Sequence, residues 1–301
     1  MTGDHHYPQR VRIDLHTHSR VSDGTDSPEE LVRAARAVGL DVVALTDHDT
    51  AAGWDEAAAT AHEIGIELVR GMEISTLHQG RSVHLLGYLP DPTYEPLDRE
   101  LRHILDGRGQ RLPMMVDRLR GLGIAITVDD VLAVSQDAAA SGRPHVADAL
   151  VRQGVVADRD EAFDTLLAAG RPAYVGRYAV ALDEAIRLVT AAGGVSVIAH
   201  VWGRSRSEHP DEAELAALQE VGLTGLEVDH QDHAPERRER LRGIARDLGL
   251  VVTGSSDYHG TGKTQHDLGI NTTAPEDYHR LLEAAAAASA ASGRETPEVV
   301  R

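Results

Sequence analysis

Two short spacings in this chain place metal-binding side chains side by side. His16 and His18 flank one residue in Asp14-Leu15-His16-Thr17-His18, and Asp257 and His259 do the same in Ser256-Asp257-Tyr258-His259-Gly260. Side chains two apart on a strand point to one face, so each pair can offer two ligand atoms to one ion. Other His, Asp or Glu residues end or punctuate short apolar runs: His48 after Leu45-Thr46-Asp47, Glu73 after Gly71-Met72, His84, His200 after Ala199, and Glu227. An isolated His-X-His pair reads most simply as solvent-facing, and a lone glutamate as a surface carboxylate. Two pairs of one spacing beside Glu73 favour a shared ligand set, with Glu73 bridging. Imidazole and carboxylate donors without thiolate suit Mn, Zn or Fe better than a structural zinc. The candidates exceed the needs of one ion, and two or three ions together activate water and polarise a phosphoryl group.

Short strand-like runs must position these groups. Val11–Leu15, Asp41–Leu45, Glu67–Met72, Val83–Leu86, Val195–Ala199, Gly225–Val228 and Leu250–Thr253 are mostly apolar and bounded by Gly or polar residues, as buried parallel strands read. Between the first two, Ser27 can cap a helix, Pro28 suits its first position, Glu30 completes a capping box and Gly39 ends it. A second helix is expected from Pro235 to Gly249. This order predicts an α/β fold with a parallel sheet or barrel, whose strand carboxyl ends form the active-site face. Seven segments then deliver His, Asp or Glu to one rim. From about Tyr94 to Tyr178 the alternation stops. That Arg-rich stretch shows helical patterns at Leu97–Leu105, Leu112–Leu119, Val146–Val151 and Ala162–Leu167 but no strand, as expected of a helical insertion. Ala284–Ala291 predicts a last helix, followed by a frayed end.

Composition narrows the function. The 301 residues suggest about two domains or one large barrel carrying an insertion. With 30 Lys+Arg against 48 Asp+Glu the formal charge is −18, which opposes a broad basic surface for duplex nucleic acid. Aromatics make up 3%, so an extended base-stacking platform is not expected. No apolar run is long enough to span a membrane, and the N-terminus does not read as a signal peptide. The absence of Cys excludes disulfides, thiolate metal sites and a cysteine nucleophile, and a reducing cytoplasm is the expected compartment. Histidine is abundant at 17, and Lys263 is the sole lysine.

Taken together, DLHTHSRVSDG at 14–24, LTDHD at 45–49, the Ala-His pair ending at His200 and SDYHG at 256–260 resemble the PHP (polymerase and histidinol phosphatase) family of metal-dependent phosphoesterases. Asp23, GMEIS at 71–75, VHLLGY at 83–88 and GRPHVADAL at 142–150 are similar to the branch that hydrolyses nucleoside 3′,5′-bisphosphates and can trim RNA from its 5′ end. The resemblance implies a distorted (β/α)7 barrel with an inserted helical domain, here divided as barrel 1–94, insertion 95–178 and barrel 179–301. It implies three metal positions: His16, His18, Glu73 and Asp257; Glu73, His84 and His200; and Asp23, His48 and His259. His145 is a rival to His84. Two or three divalent ions are implied, Mn favoured over Zn or Fe. The chain departs from the family pattern at Ser255, where Gly is usual, and at Asp229, where the branch often has an aromatic.

A second phosphate needs cationic donors, best met by Arg. Arg143 and His145, opening a helix in Gly142-Arg143-Pro144-His145, are the first candidates, and Arg108 and Arg111 the second; the alternatives are a loop-capping Arg and a solvated helix face. His230 and His233 lie just beyond the Glu227 strand, where one could protonate the leaving oxygen, and Asp257 could accept a proton as well as bind metal. His5, His6, His62, His78, His103, His209, His266 and His279 are read as surface residues. The expected substrate is a small nucleotide or a short RNA end, with no membrane and no protein partner implied. The alternatives are a histidinol-phosphate-type phosphatase, which should not need an Arg-rich second site, and a non-catalytic PHP binding module.

Overall fold

A computed structural model describes residues 11–135, 138–139, 141–203 and 209–301. The chain runs β1 (Ile13–Asp14), α1 (Pro28–Ala37), β2 (Val42–Leu45), α2 (Trp54–Ile64), β3 (Glu67–His78) and β4 (Arg81–Tyr88). Then come α3 (Glu95–Gly121), α4 (Val128–Leu132), α5 (Arg143–Arg152) and α6 (Arg159–Ala162), which continues as a π-helical turn over Phe163–Leu167. The chain closes with β5 (Val180–Ala181), α7 (Leu182–Ala191), β6 (Val195–Ile198), α8 (Glu212–Val221), β7 (Gly225–Asp229), α9 (Pro235–Asp247), β8 (Val251–Gly254) and α10 (Pro275–Ser292). Among the described residues no helix is long and apolar enough to cross a membrane.

Seven strands follow one another around a nearly closed barrel in the order β1-β2-β3-β4-β6-β7-β8, with the short β5 added beside β3. The ends meet where His18 N donates to Tyr258 O at 2.8 Å, beyond β1 and β8. The sheet is mixed rather than parallel throughout, because β4 is antiparallel to both β3 and β6. Gln79 (φ 50°) and Gly80 (φ 78°) both turn left-handed, the backbone of a tight two-residue hairpin, so β3 runs on to His78 and doubles straight back. α1 forms as its sequence predicts: Glu30 N donates to Ser27 Oγ at 3.1 Å, Ser27 N to Glu30 Oε2 at 2.8 Å, and Leu31, Val32 and Ala35 are buried.

Elsewhere the elements differ from expectation. The two patterns at Leu97–Leu105 and Leu112–Leu119 belong to the single helix α3, which continues through Gly107, Gly109 and Pro113. Leu97, Leu101, Ile104, Arg108, Leu112, Met115 and Leu119 form one buried stripe, and that burial outweighs the breakers. The tail past α10 is not frayed: Val300 exchanges backbone hydrogen bonds with Leu68, each at 3.0 Å. Buried apolar side chains of the strands and their helices form the barrel core, while Leu112, Met115, Val131, Val146, Leu150 and Leu167 belong to a separate cluster.

Candidate metal centre

Acidic side chains that bind no ligand atom build the rim. Asp14 Oδ1 accepts from Ser256 N at 3.0 Å and Oδ2 from Gly269 N at 2.8 Å, locking the loop after β1 to the loop after β8. Asp47 accepts from Ser19 N at 2.8 Å and from the hydroxyls of Ser19 and Ser22, each at 2.6 Å. That loop is so tight that a Cβ on Gly24 would lie 2.3 Å from the carbonyl oxygen of His18. Asp49, at φ 58°, accepts from Ser75 N at 2.7 Å.

On this frame the candidate ligands converge. His16 Nε2 and His18 Nε2 are 3.0 Å apart, and they lie 3.3 and 3.0 Å from Glu73 Oε2 and 3.5 Å each from Asp257 Oδ1. On the other side, Glu73 Oε1 is 2.7 Å from His84 Nδ1 and 3.1 Å from His200 Nε2. Asp23 lies 3.3 Å from His259 Nε2, 3.7 Å from His48 Nε2 and 3.8 Å from His18 Nδ1. His48 Nδ1 is also 3.2 Å from Glu73 Oε2, so His48 lies between two sets. All nine residues meet at one rim, and Glu73 borders two of the sets with separate oxygens. His200 (φ 31°) and Asp257 (φ 53°) adopt left-handed backbone conformations that non-glycine residues rarely occupy, a strain typical of functional sites.

The electrostatics suit a cation. Burial would raise the carboxyls of Glu73, Asp23 and Asp257, yet facing histidines, and Lys263 for Asp257, hold all three well below their ordinary range. Burial would lower His16, but the carboxylates of Glu227, Glu73 and Asp257 outweigh it and raise its imidazole well above the ordinary value. His48 goes the other way, pushed down to about 3 by burial, with Arg108 and His18 adding to it. The pocket thus combines ionised carboxylates with imidazole nitrogens and shows no thiolate, a donor set that fits divalent Mn, Zn or Fe.

Glu227 supports this set from behind. Its Oε1 lies 3.0 Å from His16 Nδ1 and accepts from Ser255 Oγ at 2.8 Å, while Oε2 accepts from His200 N at 2.6 Å. Ser255 therefore replaces the usual glycine with a useful hydroxyl. Asp229, in place of an aromatic, receives both its contacts from Arg242, at 2.7 and 2.8 Å.

The structure places the three expected proton carriers in different surroundings. His233 has both ring nitrogens bound to backbone, 2.8 Å from Val228 O and accepting from Trp202 N at 3.0 Å, so neither can reach a leaving group. His230 is fully buried; its Nδ1 accepts from Asp232 N at 3.1 Å, which leaves the proton on Nε2, 3.4 Å from Asp257 Oδ2. It orients Asp257. Asp257 itself, paired with Lys263, is a weak base. Of the histidines read as surface residues, His62, His103 and His279 are exposed and His78 and His209 half-buried, but His266 is buried, with Nδ1 2.8 Å from Ser256 O. His5 and His6 lie outside the described residues.

Beside the ligands a cleft of about 280 Å³ is shared by Asp23, His48, His84 and His259 with Arg108, Arg111, Arg143 and Arg177. Arg108 is committed elsewhere, donating to Asp49 Oδ2 and Ser75 Oγ at 2.9 Å each. Arg111 is buried with Nε unpartnered, and burial with the charges of Arg143 and Arg177 lowers it to about 8. Burial and Arg108 likewise bring Arg177 down to about 10. His145 uses Nδ1 to accept from Gly142 N at 2.9 Å and lines a neighbouring cavity, not this one. Arg177 and Lys263 escaped the sequence reading because each lies in no helix or strand and outside every motif.

Comparison with known proteins agrees with this geometry. A curated 3′,5′-nucleoside bisphosphate phosphatase of Chromobacterium violaceum is 34% identical over 265 residues, 88% of this chain and 93% of its own. A 5′-3′ exoribonuclease of Haemophilus influenzae is 35% identical over 248 residues, 82% of this chain and 90% of its own. A solved Bifidobacterium adolescentis protein, provisionally described as a metal-dependent phosphoesterase, superposes with a TM-score of 0.87 at 40% identity, covering 92% of this chain and 97% of its own. The PHP domain matches residues 14–168, and with a ligand rim of this composition the chain belongs to the PHP domain family.

Proposed function

We propose that this chain is a metal-dependent phosphoesterase that removes the 3′ phosphate of nucleoside 3′,5′-bisphosphates and trims RNA from its 5′ end. The observation that carries the reading is the cleft walled by candidate ligand side chains on one side and on the other by guanidiniums, among which buried Arg111 has an unpartnered Nε. A buried cation without an anion is costly, so Arg111, with Arg143 and Arg177 beside it, calls for a dianion. A substrate with two phosphates fills both halves, and a small amino-alcohol phosphate fills one. The 5′ end of RNA offers the same pattern, a 5′ phosphate and an esterified 3′ phosphate, so one geometry serves both substrates.

His16, His18, Glu73 and Asp257, then Glu73, His84 and His200, and then Asp23, His48 and His259, would hold two or three divalent ions, Mn preferred. Bound there, such ions supply Lewis acidity, charge neutralisation and an activated water. The protein's own part is positional. Glu227 and His230 fix the ligands, Lys263 sets a charge at the junction of the two halves, and Arg111, Arg143 and Arg177 hold the phosphate that does not react. Water adds to the 3′ phosphorus, the bond to the 3′ oxygen breaks, and that oxygen takes a proton to leave as the 3′ hydroxyl. Residues 95–178 act as an inserted helical domain between barrel segments 1–94 and 179–301, and the cytoplasm is the compartment.

The test is phosphate release with added Mn²⁺ from adenosine 3′,5′-bisphosphate, 5′-AMP, 3′-AMP and histidinol phosphate. Preference for the bisphosphate with 5′-AMP as product is expected, and preference for histidinol phosphate overturns the substrate. Arg143→Ala should raise KM for the bisphosphate far more than for 3′-AMP, and equal effects would remove it from the clamp.

A further inference from the structure

The chain's single phenylalanine, Phe163, stands at this cleft. It opens the π-helical turn Phe163–Leu167, in which Ala168 N donates to Phe163 O at 3.0 Å, one residue beyond the α-helical partner. Such turns are rare and frequently occur at functional sites, because the extra residue redirects a side chain. Leu167, at the far end of the turn, is fully buried in the 112–175 cluster, whereas Phe163 is only half-buried. The anchored turn therefore holds an aromatic ring at the surface of the cavity. Arg143 covers one face, its guanidinium carbon 5.4 Å from the ring centroid. Phe163 lines both the arginine cleft and a second cleft that reaches His200 and Asp257. Among the described residues it is the sole Phe, Tyr or Trp in either lining.

We infer that Phe163 is the nucleobase platform of the substrate site and that it holds the base by stacking. This rests on the nucleotide reading above. The ribose of a molecule spanning both halves projects its base to one side, and the half-exposed ring that borders both clefts is the aromatic face available to it among the described residues. Every base has a π face, so stacking is tolerant of sequence, and alanine substitution of such platforms costs about 1–3 kcal/mol per base. The enzyme then accepts all four nucleoside 3′,5′-bisphosphates, purines somewhat better because of their larger face.

The test compares the wild type with F163A, F163L and F163W on adenosine 3′,5′-bisphosphate and on 1-O-methylribose 3,5-bisphosphate, which lacks the base. F163A and F163L should raise KM for the nucleotide about tenfold or more, as a stacking loss of this size requires, with kcat nearly unchanged. Neither should move KM for the base-free sugar, and F163W should restore nucleotide KM. F163L keeps an apolar side chain and so separates loss of the π face from loss of packing. An active wild type with unchanged KM in F163A, or with equal KM losses on both substrates, overturns this inference alone. A wild type inactive on every bisphosphate overturns the functional reading beneath it as well.

Discussion

Glu73 faces His16 and His18 through Oε2 and His84 and His200 through Oε1, and this division of one carboxylate ties the ligand sets together. Its support comes from residues that do not touch the cation. Groups behind a metal ligand set its tautomer and orientation, and their loss typically costs 10–100-fold in affinity or activity. Glu227→Gln should therefore lower the metal retained per chain after dialysis against a weak chelator while the fold persists; undiminished metal content would show that the charge behind His16 is dispensable. His233 is a contrasting case. His233→Ala strips partners from Trp202 N and Val228 O, a loss of about 1–3 kcal/mol. The melting temperature should fall while the pH–rate profile of the folded enzyme keeps its shape, and a vanished limb of that profile would restore His233 as the proton donor.

At the scale of elements, the rim depends on how tightly the loops after β1 and β8 close. Gly24 permits an approach that no Cβ allows, so Gly24→Ala should displace the Asp23 loop and cost the Asp23, His48 and His259 set its ion before the others. Metal analysis should show one ion fewer per chain, and full occupancy would mean that the loop relaxes without harm. Helix α3 meets the barrel through Arg108, among other residues, and the bonds of Arg108 to Asp49 and Ser75 are buried. Removing one partner of a buried ion pair costs about 3–5 kcal/mol. Arg108→Met should therefore be strongly destabilising, read as a lower denaturation midpoint, whereas loss of phosphate affinity at full stability would make Arg108 part of the clamp.

For the whole molecule, an acidic chain of net charge −18 carries a cluster of cations in one cleft, so attraction for an anionic ligand is local rather than spread over the surface. Metal and fold are linked by mass action. With free metal about a thousandfold above Kd, binding contributes about 4 kcal/mol, so chelation should lower Tm on the order of 10 °C and readdition of Mn²⁺ should restore it. An unchanged Tm would mean that the rim keeps its shape without the ions.

Local pattern determined much of this protein. The paired spacings of His16 with His18 and of Asp257 with His259 pointed to the rim, yet all four lie beyond β1 and β8, and Asp257 and His259 face different candidate sets. The α1 cap was legible because its partners lie three residues apart. What the tertiary structure decided involves partners distant in sequence. The turn at Gln79-Gly80 made the sheet mixed, and packing of one stripe carried α3 through Pro113. His233 and His230 meet backbone partners and a carboxylate that no spacing reveals. Arg177 and Lys263 joined the site only because the loops carrying them fold over it. A single side chain's type is written in the sequence, but whether its nitrogen or oxygen is free depends on contacts that form only when the chain closes.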